Sequence, residues 1–306
     1  MPNAPLVLEA RAYPKVNIAL KVGAKDPSSS LHPIRSRFCL ALGDLFDLLC
    51  FRLCWDRRDW PSLVLQGNFD FPLESNLIYK AYVALMQASS YLPSLPKDGR
   101  PLVFKAASSK SSNAKNILYI EVKKSLPLGG GLGGGSSNAA LTLVVLNEIL
   151  GLGLGLGDLM RCAMGIGSDV CFFGAIYLQG GASLHPFFLQ NAPSKPLDFT
   201  SASVGGVGDV VVPFHEDCLD FKLHLSGISC DTRAVYDEFD KLSAKTIDID
   251  LSLDSKSLLA SFDAYELNDL FLPASRIYPL RAIYERLSGK YGRVFFSGSG
   301  SSFFWI

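Results

Sequence analysis

Six glycines, Gly129, Gly130, Gly131, Gly133, Gly134 and Gly135, run directly into Ser136, Ser137 and Asn138. The full string from Pro127 to Ala140 reads PLGGGLGGGSSNAA, and the helix-forming run ALTLVVLNEIL overlaps its last alanine and continues it. The chemistry of such a junction is anion binding. The first N–H groups of a helix lack intrahelical acceptors, the helix dipole is positive at that end, and glycine lets phosphate oxygens approach the main chain. Ser136, Ser137 or Asn138 can cap the helix or turn a hydroxyl toward a phosphate or its Mg²⁺. A flexible linker has a similar composition, but it is seldom followed at once by Ala139, Ala140 and an apolar helix.

The type of nucleotide loop can be narrowed. The pattern GxxxxGK[ST] fails, because no lysine follows the glycines. Gly129, Gly131 and Gly134 satisfy GxGxxG, the dinucleotide fingerprint, which also needs an acidic residue about 20 positions on at the end of the next strand. Glu148 has the distance but lies inside the helical pattern. The dinucleotide reading fails.

Two further polar groups stand out by position. Lys15 and Asn17 alternate with Val16, Ile18, Leu20 and Val22, so the expected strand carries Lys15, Asn17 and Lys21 on the face opposite its apolar one. Taken alone, Lys15 reads as a solvated surface lysine. Asp169, after Gly167 and Ser168, reads locally as a turn residue or helix cap. His32 lies in a loop.

These residues need elements to hold them. Residues 7–22 have period two; residues 40–53 are apolar and strand-like; residues 76–87 have the spacing of an amphipathic helix. Residues 93–101 form a turn-rich connector. Residues 117–122 are a strand that feeds the glycine loop, and the helix after it ends at Gly151. Residues 184–204 are irregular, after which short strands at 210–213 and 221–225 alternate with helical stretches. The chain closes with 293–296, a Gly/Ser turn and 303–306. This mixture without a regular βαβ count is an α+β pattern of two domains, 1–183 and 184–306.

Charge narrows the partners. The 29 basic and 29 acidic residues cancel, which argues against a nucleic-acid binder. The longest apolar runs fall well short of the roughly 20 residues that span a bilayer, and the start lacks a signal-peptide pattern, so a cytoplasmic protein is expected. Seven scattered cysteines without a second ligand pair argue for reduced thiols rather than a zinc site.

The string from Pro127 to Ala140 resembles the phosphate loop of the GHMP kinases, the superfamily of galactokinase, homoserine, mevalonate and phosphomevalonate kinases. Other pieces follow in that family's order. Tyr13 to Ile18 resembles its A-K-x-N motif and Asn76 to Ala81 its N-L-I-x-K-A helix start. Gly167 to Val170 resembles G-[AS]-D-V, Asn268 to Leu270 resembles N-D-L, and Ser297 to Gly300 resembles S-G-S-G. Within the superfamily, the doubled glycine triplet with SSNAA is similar to the branch that phosphorylates the 2-hydroxyl of a diphosphocytidyl-methylerythritol, on the non-mevalonate route to isoprenoid precursors.

The resemblance implies a two-domain GHMP-kinase fold with the glycine loop at a strand-to-helix junction. It implies ATP and Mg²⁺, no protein metal ligands that can be named, a small cytidine diphosphate substrate, and a monomer or weak homodimer. Pro127, Leu128, Gly129 to Gly131, Leu132, Gly133 to Gly135, Ser136, Ser137 and Asn76 would bind the nucleotide. Lys15 and Asp169 would be catalytic, the lysine near the carboxylate and the reacting hydroxyl. Asn17, His32 and Asn138 would meet the substrate, with His32 at the cytidine. The chain departs from the family at Leu31, where a tyrosine is usual, at Cys171, where proline is usual, and in residues 184–203, which look like an insertion. Phe187 and Phe188 of that insertion are the obvious donors of a replacement ring. A different GHMP kinase, or a catalytically silent nucleotide-binding regulator, are the competing readings.

Overall fold

Pro14 has no N–H to give to a ladder, and the period-two stretch of residues 7–22 divides there into β1 (Leu6–Ala12) and β2 (Lys15–Val22). The two strands enter different sheets. The computed structural model describes residues 5–55, 60–69, 71–89, 116–179, 181, 183–190, 195–242 and 247–306. The connector expected at 93–101 lies outside them. Two units interleave along the chain. The first comprises Met1–Ala12, Phe46–Ser125 and Gly135–Leu197; the second comprises Tyr13–Leu45, Leu126–Gly134 and Asp198–Ile306. A cut between residues 183 and 184 falls within the third segment of the first unit.

In the first unit, β1, β4 (Asp47–Cys54), β6 (Ile117–Lys123) and β5 (Ser62–Gln66) form one sheet in that order, with β5 parallel to β6 and the other pairs antiparallel. Along β6, Leu118, Ile120 and Val122 are buried while Tyr119 and Lys123 are exposed, the alternation of a sheet covered on one face. Helix α1 (Leu77–Ala88) buries Ile78, Ala81, Tyr82, Leu85 and Met86, a stripe at i, i+3, i+4, i+7 and i+8. Helix α2 (Gly134–Ile149) is buried nearly all round from Ser137 to Leu146, which explains its almost uniform apolarity. Helices α3 (Leu156–Ile166) and α4 (Ser168–Tyr177) follow.

The first part of the expected insertion belongs to this unit. Phe188 is fully buried, with its ring edge-on to Tyr177 at 4.5 Å, and Gln190 N–H donates to the Glu9 carbonyl. Phe188 is therefore a core residue and has no face to offer a base.

In the second unit, β2, β3 (Ile34–Leu40), β7 (Ser201–Gly205) and β8 (Val210–Phe214) form an antiparallel sheet in that order. A second sheet runs β10 (Phe295–Phe296), β11 (Phe303–Trp305), β9 (Lys222–His224). The apolar stretch at 40–53 is not one strand, because an irregular segment at residues 41–46 separates β3 from β4. Helices α5 (Thr232–Lys241), α6 (Ser255–Ser261), α7 (Ala264–Leu267), α8 (Phe271–Ile277) and α9 (Leu280–Tyr291) complete the unit. Its core joins Val16, Ile18 and Leu20 to Leu258, Phe271, Phe296 and Phe303. Each such side chain contributes roughly 1.5–3 kcal/mol by leaving water.

The face assignment of β2 needs correction. Pairing steps from Asn17 opposite Phe38 to Ala19 opposite Arg37, so the register shifts between Asn17 and Ala19. One extra residue in a strand reverses the parity beyond it. Lys15 and Asn17 share a face, and Lys21 turns to the other, where it pairs with Asp269 at 2.5 Å. None of the three is solvated: Lys15 is 3%, Asn17 2% and Lys21 5% exposed.

Candidate active site

The glycine loop of the second unit is held by its carbonyls. Gly129 O accepts from Cys230 N–H at 3.0 Å, Gly130 O from Ser302 N–H at 3.1 Å, Gly131 O from Ser297 Oγ at 3.0 Å, and Leu132 O from Lys15 N–H at 2.9 Å. Four successive carbonyls are thus tied back into the unit. In a trans peptide the following N–H points opposite to the carbonyl, so the N–H groups of residues 130–133 face away from these anchors. Gly129, Gly131 and Gly133 have φ of 62°, 73° and 68°, so every second residue is left-handed. Such alternation curls N–H groups into an anion-binding concavity.

Only glycine suits the middle of this loop. A Cβ on Gly131 would stand 2.1 Å from the Ser297 carbonyl oxygen, and Gly298 (φ 60°) packs back against Gly131. The Gly/Ser turn after β10 is therefore a backing for the glycine loop. Asn268 secures that turn, donating from Nδ2 to Phe296 O at 3.0 Å and Gly298 O at 2.9 Å. Sequence reading had named these motifs but had not assigned them this role.

On β2, Lys15 Nζ donates to Asn17 Oδ1 at 2.6 Å and lies 4.5 Å from the centroid of the Phe38 ring. Asn17 Nδ2 donates to Ser36 Oγ at 3.1 Å, and its N–H reaches Ser297 Oγ at 3.4 Å. Lysine, asparagine and both glycine turns thus form one bonded network within the second unit.

His32 belongs to the same unit. Its Nδ1 donates to Gly23 O at 2.9 Å, since a carbonyl only accepts. Nε2 is 3.1 Å from Asp240 Oδ1, an ion-pair distance without hydrogen-bond alignment. Tyr236 stacks on the imidazole with centroids 5.3 Å apart, and Phe239 meets it edge-on at 5.7 Å. An aromatic neighbour of His32 therefore comes from α5, while Leu31 is exposed.

The remaining expected residues lie in the first unit. Asn76 caps α1, its Oδ1 accepting from Ile78 N–H at 2.9 Å. Ser137 is fully buried, with its hydroxyl 2.6 Å from that of Tyr177. Asp169 lies in the first turn of α4, where the helix dipole favours a carboxylate. Asn138 donates from Nδ2 to Asp47 Oδ2 at 2.9 Å, and the same oxygen accepts from Lys124 Nζ at 2.6 Å. Asp47 was missed in the sequence. The signal was a lone carboxylate inside the apolar run LFDLL, a composition that marks a buried and partnered charge.

Among the described residues no group of three or more His, Cys, Asp or Glu side chains could cage a metal, and no helix is long and apolar enough to cross a membrane.

Comparison with known proteins gives the site a context. Residues 76–176 match the family description "GHMP kinases N terminal domain". The chain is 35% identical over 302 residues to a 4-diphosphocytidyl-2-C-methyl-D-erythritol kinase of Campylobacter jejuni subsp. jejuni, covering 97% of this chain and 99% of that one. It is 33% identical to the protein of the same name from Sulfurimonas denitrificans, covering 97% and 96%. Among solved structures, a 4-(cytidine 5'-diphospho)-2C-methyl-D-erythritol kinase aligns with a TM-score of 0.65 at 24% identity, over 97% of this chain and 89% of that one. A homoserine kinase from Cytophaga hutchinsonii aligns with a TM-score of 0.54 at 16% identity, over 97% and 84%.

Proposed function

The chain belongs to the GHMP kinases, in the family of the 4-diphosphocytidyl-2-C-methyl-D-erythritol kinases, and from that premise we propose the reaction and the residues that carry it. It is a small-molecule kinase that uses ATP as co-substrate. Its acceptor is 4-diphosphocytidyl-2-C-methyl-D-erythritol, phosphorylated on the 2-hydroxyl in isoprenoid precursor biosynthesis. Mg²⁺ enters as the Mg-ATP complex, and the reaction takes place in the cytoplasm.

The observation that carries the reading is the set of four tied carbonyls from Gly129 to Leu132. They leave a curved run of N–H groups to take the phosphates of ATP, a preorganised site that costs no reorganisation as charge moves. The acceptor hydroxyl oxygen attacks the γ-phosphorus, the bond from that phosphorus to the bridging oxygen breaks, and ADP leaves with the bond electrons. The proton of the hydroxyl passes to the Asp169 carboxylate. Lys15 offsets the charge that develops on the transferring group. Asn17 holds the lysine ammonium, and Asn138 and His32 serve the acceptor, the latter at its cytidine.

The test is purified protein with Mg-ATP and 4-diphosphocytidyl-2-C-methyl-D-erythritol, followed by ADP release and phosphorus NMR of the product. A new phosphate monoester on the 2-hydroxyl is expected. Turnover confined to mevalonate, homoserine or a sugar would place the chain with a different acceptor. ATP binding without turnover of any acceptor would make it a regulator.

A further inference from the structure

We infer that Asp47 is a positioning residue for the nucleotide, acting through both chain ends between which the glycine loop runs. The inference rests on the reading of the chain as an ATP-dependent kinase. Asp47 opens β4 and is fully buried. Its Oδ1 accepts from Ser125 N–H at 2.8 Å, and its Oδ2 accepts from Lys124 Nζ at 2.6 Å and from Asn138 Nδ2 at 2.9 Å. Lys124 and Ser125 are the residues by which the chain leaves β6 for the loop. Asn138 is the fifth residue of α2, just after the loop has closed. One carboxylate therefore sets the distance and orientation of the loop's two stems.

A carboxylate buried in an apolar strand is costly unless its oxygens are well partnered, and here at least three donors partner it. Two of those three act on side-chain direction. The Lys124 side chain is 14% exposed, and its ammonium is drawn down onto Asp47. The amide of Asn138 is oriented by the same contact. An ionised carboxylate accepts only, so the amide must present its NH₂ to Asp47 and turn Oδ1 the other way. That Oδ1 is buried and has no hydrogen-bond partner among the described residues. Leaving a buried acceptor unmet is unfavourable in the free protein and rewards a ligand that supplies an O–H or N–H donor there. Asp47 thus determines that the start of α2 offers an acceptor rather than a donor. It makes no contact with the ligand itself.

The test compares Asp47→Asn with the exchange variant Asp47→Asn/Asn138→Asp. The single variant keeps the shape but loses the anion that holds Lys124, and it no longer dictates which way the Asn138 amide faces. Calorimetric titration with Mg-ATP is expected to show about tenfold weaker binding, the size of one lost polar contact. The KM for ATP should rise in step, and the KM for the acceptor with it, because the Asn138 amide that Asp47 orients serves the acceptor. The exchange variant reverses donor and acceptor across the pair, keeps an acceptor at position 138 turned away from position 47, and should return Mg-ATP binding to within about threefold of the parent.

Unchanged Mg-ATP binding in Asp47→Asn overturns the inference, as does a rise in both KM values that the exchange variant does not recover. If Asp47→Asn does not fold, Lys124→Met carries the test; selective loss of Mg-ATP affinity supports the inference and unchanged affinity overturns it. A parent protein that binds no Mg-ATP at all would instead defeat the kinase reading.

Discussion

Lys15 and Asn17, two positions apart on β2, bury an ammonium against an amide oxygen at 2.6 Å. Residues i and i+2 of a strand project from one face, so the pairing is a consequence of spacing. Its unusual feature is depth. A lysine this buried is retained only when its charge is used or compensated, and the proposed reaction uses it at the transferring phosphate.

Lys15→Met and Asp169→Asn are each expected to lower kcat by about 10² to 10⁴ while Mg-ATP still binds. Both remove a charge required chiefly in the transition state, so kcat falls more than KM rises. Steady-state kinetics with a parallel nucleotide titration checks this; a variant with near-normal kcat would remove that residue from the mechanism.

Asn17→Ala tests the network rather than the charge. It deletes one acceptor of Lys15 Nζ and the donor to Ser36 Oγ. Loss of two buried hydrogen bonds predicts destabilisation of roughly 1–3 kcal/mol, together with a lower kcat. Denaturant melts and kinetics on one preparation separate the two effects. A variant that loses stability but keeps kcat would leave Lys15 independent of its neighbour.

Gly131→Ala should abolish tight Mg-ATP binding. The substitution places Cβ 2.1 Å from Ser297 O at a residue with φ of 73°, so either the glycine loop or the turn behind it must move. The backbone term alone is about 1–2 kcal/mol. Calorimetry with Mg-ATP gives the affinity. Normal affinity would mean that the carbonyl anchors from Gly129 to Leu132 are dispensable.

The glycine loop, helix α1 and strand β6 were legible because their signals are local: a glycine run before a helix start, a stripe at i, i+3 and i+4, and a period of two. What was not legible depends on partners far away in sequence. Asp47 meets Lys124 and Asn138 across separations of 77 and 91 residues. The shift between Asn17 and Ala19 is visible only against β3, so Lys21 was placed on the wrong face. The fold class was readable from the order of elements. The interleaving of the units was not, because it is decided by which sheets β1 and β2 join.

Cys39 gives a stability prediction at alkaline pH. Burial raises its thiol from 9.0 to about 12, against the opposing hydrogen bonds from Ser201 and Ser255. A raised folded value means that the folded thiol holds its proton where the unfolded one does not. The stabilisation is whole below pH 9 and is lost as pH rises through about 12. Cys39→Ala should therefore flatten the fall of stability with pH above about 9, by a few kcal/mol across the window. Denaturant midpoints of both proteins at pH 8 and pH 10.5 give the comparison, and parallel pH slopes would contradict it.

His32 separates recognition from packing. Its ring is fixed on three sides, by Gly23 O, by Asp240 and by the stacked Tyr236. If the fixed ring serves the cytidine end of the acceptor, His32→Ala should raise the KM for that acceptor severalfold and leave the KM for ATP unchanged. Tyr236→Leu should act in the same direction but more weakly, because it frees the imidazole without removing it; a stacked ring of this kind is worth about 0.5–1.5 kcal/mol. Were His32 only a packing residue, both variants would lower the melting temperature and leave acceptor and ATP constants moving together. Leu31→Tyr supplies the third point. Leu31 is exposed, so the new ring has room, and a gain in acceptor affinity is expected if the cytosine lacks an aromatic platform. No gain from Leu31→Tyr, combined with a selective loss in Tyr236→Leu, would identify α5 as the element that replaces the missing tyrosine.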